Sequence, residues 1–303
     1  MTGPDPVQRA ARTKEAIKGW WADFPMTYGD VHGDTAYQSE GGQVVNADLG
    51  SPEFFDRADE RFYQWNLPLH DGAHRFGRLF EYVRFRGKAV LEVGCGMGCM
   101  AMNWAREGAS VTAVDLNPVA VRQTRRRFEL FGLEGRIEEA DAEALPFEDD
   151  TFDYAYSWGV LHHTSGTREA VAEIYRVLRP GGEVGVMLYN RKSLLFRLIV
   201  RYQEGLVNLE RSFLDPLGLA SRYGDGDRAE GNPHTWPVTL REVRRDLFPQ
   251  FRDLRVRVLG TDVRNVLNIL YPELGSRLLP EPVVKALARR WGWSLWITGR
   301  KAT

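Results

Sequence analysis

The stretch Ala89-Val90-Leu91-Glu92-Val93-Gly94-Cys95-Gly96-Met97-Gly98 constrains this chain more than any other. Its apolar opening reads as a buried parallel strand. Three glycines follow at alternate positions, and a helical pattern begins at Cys99 and runs to Ala105. Strand, glycine turn and helix open a βαβ unit. Glycines let the backbone take positive φ and let a ligand lie against the main chain. The first turn of the helix adds free N–H groups. In the dinucleotide fingerprint G-x-G-x-x-G the third glycine would fall at position 99, which is Cys. Glu92, just before the turn, is an acid that a phosphate disfavours and a cationic or zwitterionic ligand tolerates.

Ser110 to Asp115 reads as the second strand and ends in an acid, 21 residues after Gly94. A βαβ unit places a carboxylate there to grip ribose hydroxyls. Asp115 also stands where it can cap the helix that starts near Asn117-Pro118, and the two roles are compatible.

With these residues in view, the chain resembles the class I S-adenosylmethionine (SAM)-dependent methyltransferases, ubiquinone-methylase-like branch. Leu91 to Gly98 and Val114-Asp115-Leu116-Asn117 look like motif I and the ribose-binding acid. Asp141-Ala142-Glu143-Ala144-Leu145-Pro146-Phe147 is similar to the adenine-side loop after strand three. Thr151 to Ser157 resembles strand four, and Leu178-Arg179-Pro180-Gly181-Gly182 the turn into strand five. The likeness runs from about residue 88 to about 190. It implies an α/β fold: a Rossmann-like, seven-stranded, mostly parallel sheet with its last strand antiparallel. It implies SAM lying over Gly94, Cys95, Gly96, Gly98, Asp115, Leu116, Asp141, Ala142, Glu143, Ser157 and Trp158, with Glu92 beneath. The implied activity is methyl transfer to oxygen or nitrogen of a small molecule, with a specialised metabolite as the expected acceptor. A C-methyltransferase on a quinone or lipid-like substrate is the alternative within the class. A non-catalytic SAM-binding partner protein is the alternative outside it. The glycine spacing and Glu92 disfavour an NAD-type dehydrogenase.

The totals agree with a small-molecule enzyme. The 303 residues carry 40 basic and 41 acidic side chains, a net charge of −1. That leaves no basic surplus for nucleic acid. The two cysteines, Cys95 and Cys99, make neither a disulfide framework nor a zinc set, and the simplest compartment is a reducing cytoplasm. No signal peptide and no run of 18 uncharged apolar residues is visible, so no stable membrane insertion is expected. A homo-oligomer stays open.

Along the chain, alternating strand and helix argues for a parallel sheet covered on both faces. Strands are expected near 88–93, 110–115, 136–140, 152–157 and 183–189, with helices near 98–107, 117–131 and 167–178. Residues 1–87 read as a helical cap, 88–190 as the SAM-binding core, 191–250 as a substrate-side insertion, and 251–303 as the strands and helices that complete the core. Within the cap, residues 1 to about 18 read as polar and loose at the start, with a short helix from Glu15 to Trp21. Ser51-Pro52 signals a helix start, with a stripe of Phe54, Phe55, Phe62 and Trp65. Asp71 to Phe85 reads as a further helix. Leu194 to Tyr202 reads as an amphipathic helix packed on the core.

Methyl transfer from a sulfonium needs alignment and dryness, and a hydroxyl nucleophile benefits from a base. His162 and His163, after strand four, stand at the right edge to supply one, with His162 preferred. His70 and His74, at i and i+4, are expected to share a helix face, and His70 is a further candidate base. No metal site is expected. Tyr28, in a glycine-punctuated loop, is expected to lie by the sulfonium through a cation–π contact, with Tyr37, Tyr63, Trp65, Trp158 and Tyr189 as further aromatic candidates.

Overall fold

In the computed structural model, the described residues are 6–23, 37–38, 44–45, 47–223, 232–260, 263–270 and 279–303. Seven strands form one sheet: Ala89–Val93 (β1), Ser110–Asp115 (β2), Arg136–Glu139 (β3), Phe152–Trp158 (β4), Leu178–Tyr189 (β5), Arg252–Leu259 (β6) and Ser294–Arg300 (β7). Their order is β3-β2-β1-β4-β5-β7-β6. β1 runs parallel to β2 and β4, and β2 runs parallel to β3. β7 is antiparallel to both β5 and β6. The strand order therefore reverses at β1, where a ligand crevice opens in such sheets.

The chain divides into two compact units, one of Trp21–Asp141 and Thr151–Tyr156, the other of Met1–Trp20, Ala142–Asp150 and Ser157–Thr303. In the first, four of the five β1 residues are buried. Helix α2 (Pro52–Trp65) starts where the sequence signals it. Ser51 accepts the Phe54 N–H through its hydroxyl, and Pro52 fills the first turn. Helix α3 (Cys99–Arg106) follows the glycine turn. Helix α4 (Pro118–Leu130) is capped by the Asn117 side chain, which accepts the Val119 N–H. An aromatic core of Phe80, Tyr82, Phe85, Trp104, Tyr154 and Tyr156 sits against β1 and β4, with Tyr82 and Trp104 edge to face at 4.5 Å. Helix α4 is tied to α2 by a bidentate ion pair. The Arg127 guanidinium donates to both Asp59 oxygens at 2.8 and 2.9 Å and lies 4.4 Å over the Phe55 ring.

In the second unit, helix α5 (Thr167–Val177) buries Ala170, Val171, Ile174 and Val177. The insertion after β5 opens with the helix Leu195–Val207. Its inner face, Phe196 and Val200, packs with Leu219, Ala220 and Trp293. Thr239 and Glu242 form a reciprocal capping box at the next turn. β7 supplies the buried run Leu295, Trp296 and Ile297. No helix among the described residues is long and apolar enough to cross a membrane.

Four expectations need correction. The N-terminal helix spans Pro6–Asp23, well beyond the short stretch read from the sequence. Leu178–Gly182 is the start of the long strand β5, although Gly181 takes the expected positive φ of 77°. Trp65 does not continue the buried aromatic stripe of α2 but stands half exposed. The stretch from Asp71 to Phe85 is turns ending in a short 3-10 helix, Tyr82–Phe85. The reason is local: the Asp71 carboxylate accepts the N–H groups of Ala73 and His74 at 2.7 and 2.6 Å. That side-chain bonding competes with a helix. His70 and His74 therefore share no helix face.

Arg127 has a fully buried side chain, so removing its charge strands Asp59. Arg127→Ala is expected to cost about 3–5 kcal/mol in urea unfolding, the range for breaking a buried pair. A cost below about 1 kcal/mol, the level of surface pairs, would show that the pair does not tie α2 to α4.

Candidate functional site

The first part of the site is the turn between β1 and α3. Gly94, Gly96 and Gly98 all take positive φ, at 84°, 52° and 76°. The N–H groups of Gly94 and Cys95 both donate to the Val114 carbonyl, at 2.7 and 3.0 Å. The turn is thereby fastened to the end of β2. Asp115 continues that fastening. Its Oδ2 accepts the Gly96 N–H at 2.9 Å, and its Oδ1 accepts the Asn117 N–H at 2.9 Å. Each carboxylate oxygen keeps acceptor capacity for a further donor. The Asn117 amide also donates to the Trp21 carbonyl at 2.5 Å, pinning the end of the N-terminal helix beside this turn.

The glycines have different jobs. A Cβ on Gly98 would stand 2.7 Å from the Thr124 methyl, so Gly98 allows α4 to pack close. Among the described residues, a Cβ on Gly96 would meet nothing within 4 Å. The main chain at Gly96 thus faces space that a ligand can fill. Thr124 donates from its hydroxyl to the Gly96 carbonyl at 3.0 Å and holds that edge in place. Cys95 lies under the turn with its sulfur 3.5 Å from the Thr124 hydroxyl. Burial raises the Cys95 and Cys99 thiols well above the usual range, so both are inert, neutral packing groups.

Glu92 is almost fully buried on β1, and its Oε2 has no hydrogen-bond partner. Burial, together with the nearby Asp115 charge, pushes its carboxyl up to about 8. Burial also raises Asp115, against the pull of the Asn117 and Gly96 N–H groups. Two carboxyls lie under one glycine turn, and one of them keeps an oxygen without a partner among the described residues, which suits a ligand that brings donors. Asp141 follows β3, where the Ala140 N–H donates to the Asp115 carbonyl at 3.0 Å. Leu116 sits half buried next to Asp115.

The remaining candidates belong to the other unit. Ala142 is buried. Glu143 is engaged on both oxygens: Oε1 accepts the Ser165 hydroxyl and the Gly166 N–H, each at 2.8 Å, and Oε2 pairs with Lys14 at 2.7 Å. That bonding anchors the start of α5. Ser157 is fully buried, and the Trp158 ring lies 5.7 Å from Trp296.

His162 and His163 occupy a short 3-10 turn, Leu161–His163. His162 is 0% exposed, and neither ring nitrogen has a hydrogen-bond partner among the described residues. Its ring lies 3.7 Å from that of Tyr189, which stacks on Trp293 at 4.4 Å. Burial holds His162 well below the ordinary histidine range, so it is a neutral imidazole. His163 is held from Nδ1, which lies 3.0 Å from the His234 carbonyl and 3.2 Å from the Thr235 hydroxyl. Thr235 in turn donates to Asn232 Oδ1 at 2.7 Å, and the Trp236 N–H donates to the His162 carbonyl at 2.8 Å. The segment 232–236 is thus a strap over the histidine pair. The sequence places it only within the 191–250 insertion. The one signal was its cluster of Asn, Pro, His and Thr, which bond to nearby main chain.

His70 is placed differently. Its Nδ1 accepts the Phe76 N–H at 2.9 Å, and Nε2–H donates to the Tyr63 carbonyl at 3.0 Å. Both nitrogens are engaged inside an aromatic cluster, which leaves no lone pair for a substrate proton. Tyr63 is likewise a core residue, its hydroxyl 3.2 Å from Asn103 Oδ1. Tyr28 and the Tyr37 side chain lie outside the described residues. Among the described residues, no three His, Cys, Asp or Glu side chains gather to share a metal.

Residues 90–182 match the family model described as a methyltransferase domain. This segment is a class I SAM-dependent methyltransferase domain. The cofactor that belongs to such a domain is SAM. Among curated proteins, the chain is similar to a phthiotriol/phenolphthiotriol dimycocerosates methyltransferase of Mycobacterium tuberculosis, 39% identical over 150 residues, 46% of this chain and 55% of that protein. The corresponding methyltransferase 1 of Mycobacterium ulcerans is 39% identical over 117 residues, 38% of this chain and 42% of that protein. The chain spans about half the length of these relatives. Among solved structures, a SAM-dependent methyltransferase from Methanosarcina mazei aligns with TM-score 0.50 at 18% identity, over 74% of this chain and 98% of that one. The cyclase SpnF aligns with TM-score 0.50 at 20% identity, over 100% of this chain and 98% of that one. Both likenesses concern the fold of the methyltransferase domain and its surroundings, and one fold hosts many reactions.

The raised Glu92 carboxyl has a consequence for the free protein. Its folded value of about 8 lies above the ordinary 4.5. The native state therefore holds a proton that the unfolded chain gives up, and stability falls as pH rises from about 4.5 to about 8, then levels off. Glu92→Gln is expected to flatten that slope and to unfold at higher urea concentration than wild type above pH 8. An unchanged slope would show that Glu92 is ionised in the native state.

Proposed function

We propose that this protein is a SAM-dependent methyltransferase that methylates a hydroxyl group of a small molecule. The observation that carries the acceptor chemistry is His162, a fully buried, neutral imidazole with neither nitrogen partnered. An unmade hydrogen bond at a buried polar atom is costly, and a substrate O–H satisfies it. The curated relatives carry the name of a methyltransferase for phthiotriol derivatives, acceptors that a triol name makes hydroxyl compounds. Their partial coverage makes the hydroxyl class the transferable part.

The residues present fit SAM. Gly96 leaves its main chain open among the described residues, Asp115 offers acceptors to a ribose diol, and the unpartnered Glu92 Oε2 suits an ammonium group. Asp141 and the main chain at Ala142 are assigned to the adenine edge, and Ser157 and Trp158 to the cofactor's side of β4. Glu143 is assigned to holding the α5 loop and Lys14. When bound, the cofactor supplies a methyl group on a sulfonium, an electrophile with its leaving group attached.

The chain supplies a base, orientation and dryness. His162 accepts the hydroxyl proton as the oxygen becomes a methyl ether. A neutral base suits this step, because it is free to take up the proton that the hydroxyl gives up. Tyr189 and Trp293 form an apolar wall beside the imidazole and exclude water. His163 and the strap from Asn232 to Trp236 keep the turn that carries His162 in place.

Calorimetric titration tests the cofactor part. Wild type is expected to bind SAM and S-adenosylhomocysteine, and not NAD, and Asp115→Ala is expected to lose both. Binding of NAD alone, or of none of the three, would sink the reading. A panel of hydroxylated acceptors tests the base. His162→Ala is expected to lower kcat by about 10²–10⁴-fold, the usual worth of acid–base catalysis, with SAM affinity kept. Because burial depresses His162, the acid limb of kcat/KM is expected to fall below pH 6.5, the ordinary histidine value. Equal rates in His162→Ala would remove the base and leave alignment alone.

A further inference from the structure

The insertion helix has two faces of different character. Its inner residues Phe196 and Val200 pack on Trp293, as described above. Its outer face and the turn after it expose Tyr202, Leu206, Val207, Leu209 and Phe213, between 45% and 84% exposed, with Phe213 the most exposed. Apolar side chains exposed singly are ordinary, but five within 12 consecutive residues make a patch.

The patch is held out by the backbone. Leu209 has a φ of 63°, a left-handed conformation that a leucine rarely adopts. It caps the short turn Glu210–Ser212, which delivers Phe213 outward. Strain of this kind persists only where the surroundings enforce it. An exposed leucine in such a conformation is displayed, not left over.

The charges around it are one-sided. Between residues 192 and 215 the exposed charged side chains are Lys192, Arg197, Arg201 and Arg211 against Asp215. The acids Glu204 and Glu210 are half buried and engaged. Glu204 accepts the Asn208 amide at 2.8 Å, and Glu210 faces Arg222 at 3.7 Å. The whole chain has a net charge of −1, so this basic rim is local. Arg197 and Arg201 are four residues apart, as are Tyr202 and Leu206, and all four are exposed on the same helix.

We propose that this patch docks the protein on an anionic lipid surface, with Phe213, Leu209 and Leu206 entering the interface and Arg197, Arg201 and Arg211 meeting the headgroups. Protruding apolar tips ringed by arginines are what an interfacial contact needs. A second copy of the chain fits less well. A stable protein interface takes about 20–30 residues a side, and five apolar tips beside like-signed arginines would repel their own image. The placement deepens the proposed function and rests on it only for the substrate. Trp293, under the helix, stacks on Tyr189, which lies against His162. The lipid-facing helix is therefore also a wall of the proposed acceptor site, and the acceptor class it implies is an amphiphile with a free hydroxyl, taken from the bilayer.

Flotation of the full chain with phosphatidylcholine vesicles, with and without phosphatidylglycerol, tests the docking. The protein is expected to float with the anionic vesicles and to detach as salt rises. Arg197→Gln with Arg201→Gln is expected to weaken binding by about 25-fold, at about fivefold per arginine. Phe213→Ser is expected to weaken it by about tenfold or more. SAM titration of both variants is expected to match wild type, which separates loss of docking from loss of fold. Failure to float, or flotation that Phe213→Ser leaves unchanged, overturns the proposal while leaving the methyltransferase reading intact. So does a concentration-dependent dimer, seen by light scattering, that Phe213→Ser abolishes, because it assigns the patch to a second copy.

Discussion

The end of β2 is the fixed point on which the cofactor turn depends. One carbonyl, Val114, accepts two successive N–H groups from the glycine turn, and the next residue, Asp115, accepts a third from Gly96. A turn of three positive-φ glycines has many alternative shapes, and these bonds select one of them. The selection comes at the cost of burying carboxyl groups. Asp115 has to sit beneath the turn to hold it, and Glu92 lies on the neighbouring strand where β1 meets the same turn. Both carboxyls are raised by burial. A site built this way is electrostatically unfinished until something positive lies over it. That is the physical reason for reading it as a sulfonium and ammonium site and not as a phosphate cradle.

The histidine turn has the opposite character. His162 is held neutral by burial, and the strap over it is held by main-chain bonds and by Thr235, Asn232 and Ser221. A neutral imidazole in a dry aromatic setting is a poor place for a cation in the free protein. Burial therefore favours the uncharged imidazole. The two features thus differ in kind: buried carboxyls hold the glycine turn, and a neutral imidazole sits in an aromatic setting.

Much of this was legible in the sequence because it rests on local rules. The apolar run into Gly94, the acid at Asp115 and the capping signals Ser51-Pro52, Asn117-Pro118 and Thr239 each act within a few residues, and the structure follows them. The misreadings share a different cause. Asp71 to Phe85 has the spacing of a helix, yet one aspartate diverts two main-chain donors and one buried histidine takes a third. Periodicity does not register such competition. Glu143 falls in the motif order at the adenine-side loop, and the structure adds bonds that the order does not foretell. Its partners Ser165, Gly166 and Lys14 lie 22, 23 and 129 positions away, and no local pattern points to them. The strap from Asn232 to Trp236 was invisible for the same reason: its order comes from bonds to Ser221, His162 and His163.

The insertion after β5 draws these points together. It supplies the strap above the histidines, the helix beneath Trp293 and the exposed rim from Tyr202 to Phe213. An insertion whose only task was to wall a small polar pocket would turn its apolar residues inward and leave its outer face polar. This one does both: Phe196 and Val200 point in, while Leu206, Leu209 and Phe213 point out. Double-sided apolarity on a single helix and turn costs solubility, and an amphiphilic acceptor of the kind proposed offers a reason for it: the same element that packs on Trp293 also presents an apolar rim outward.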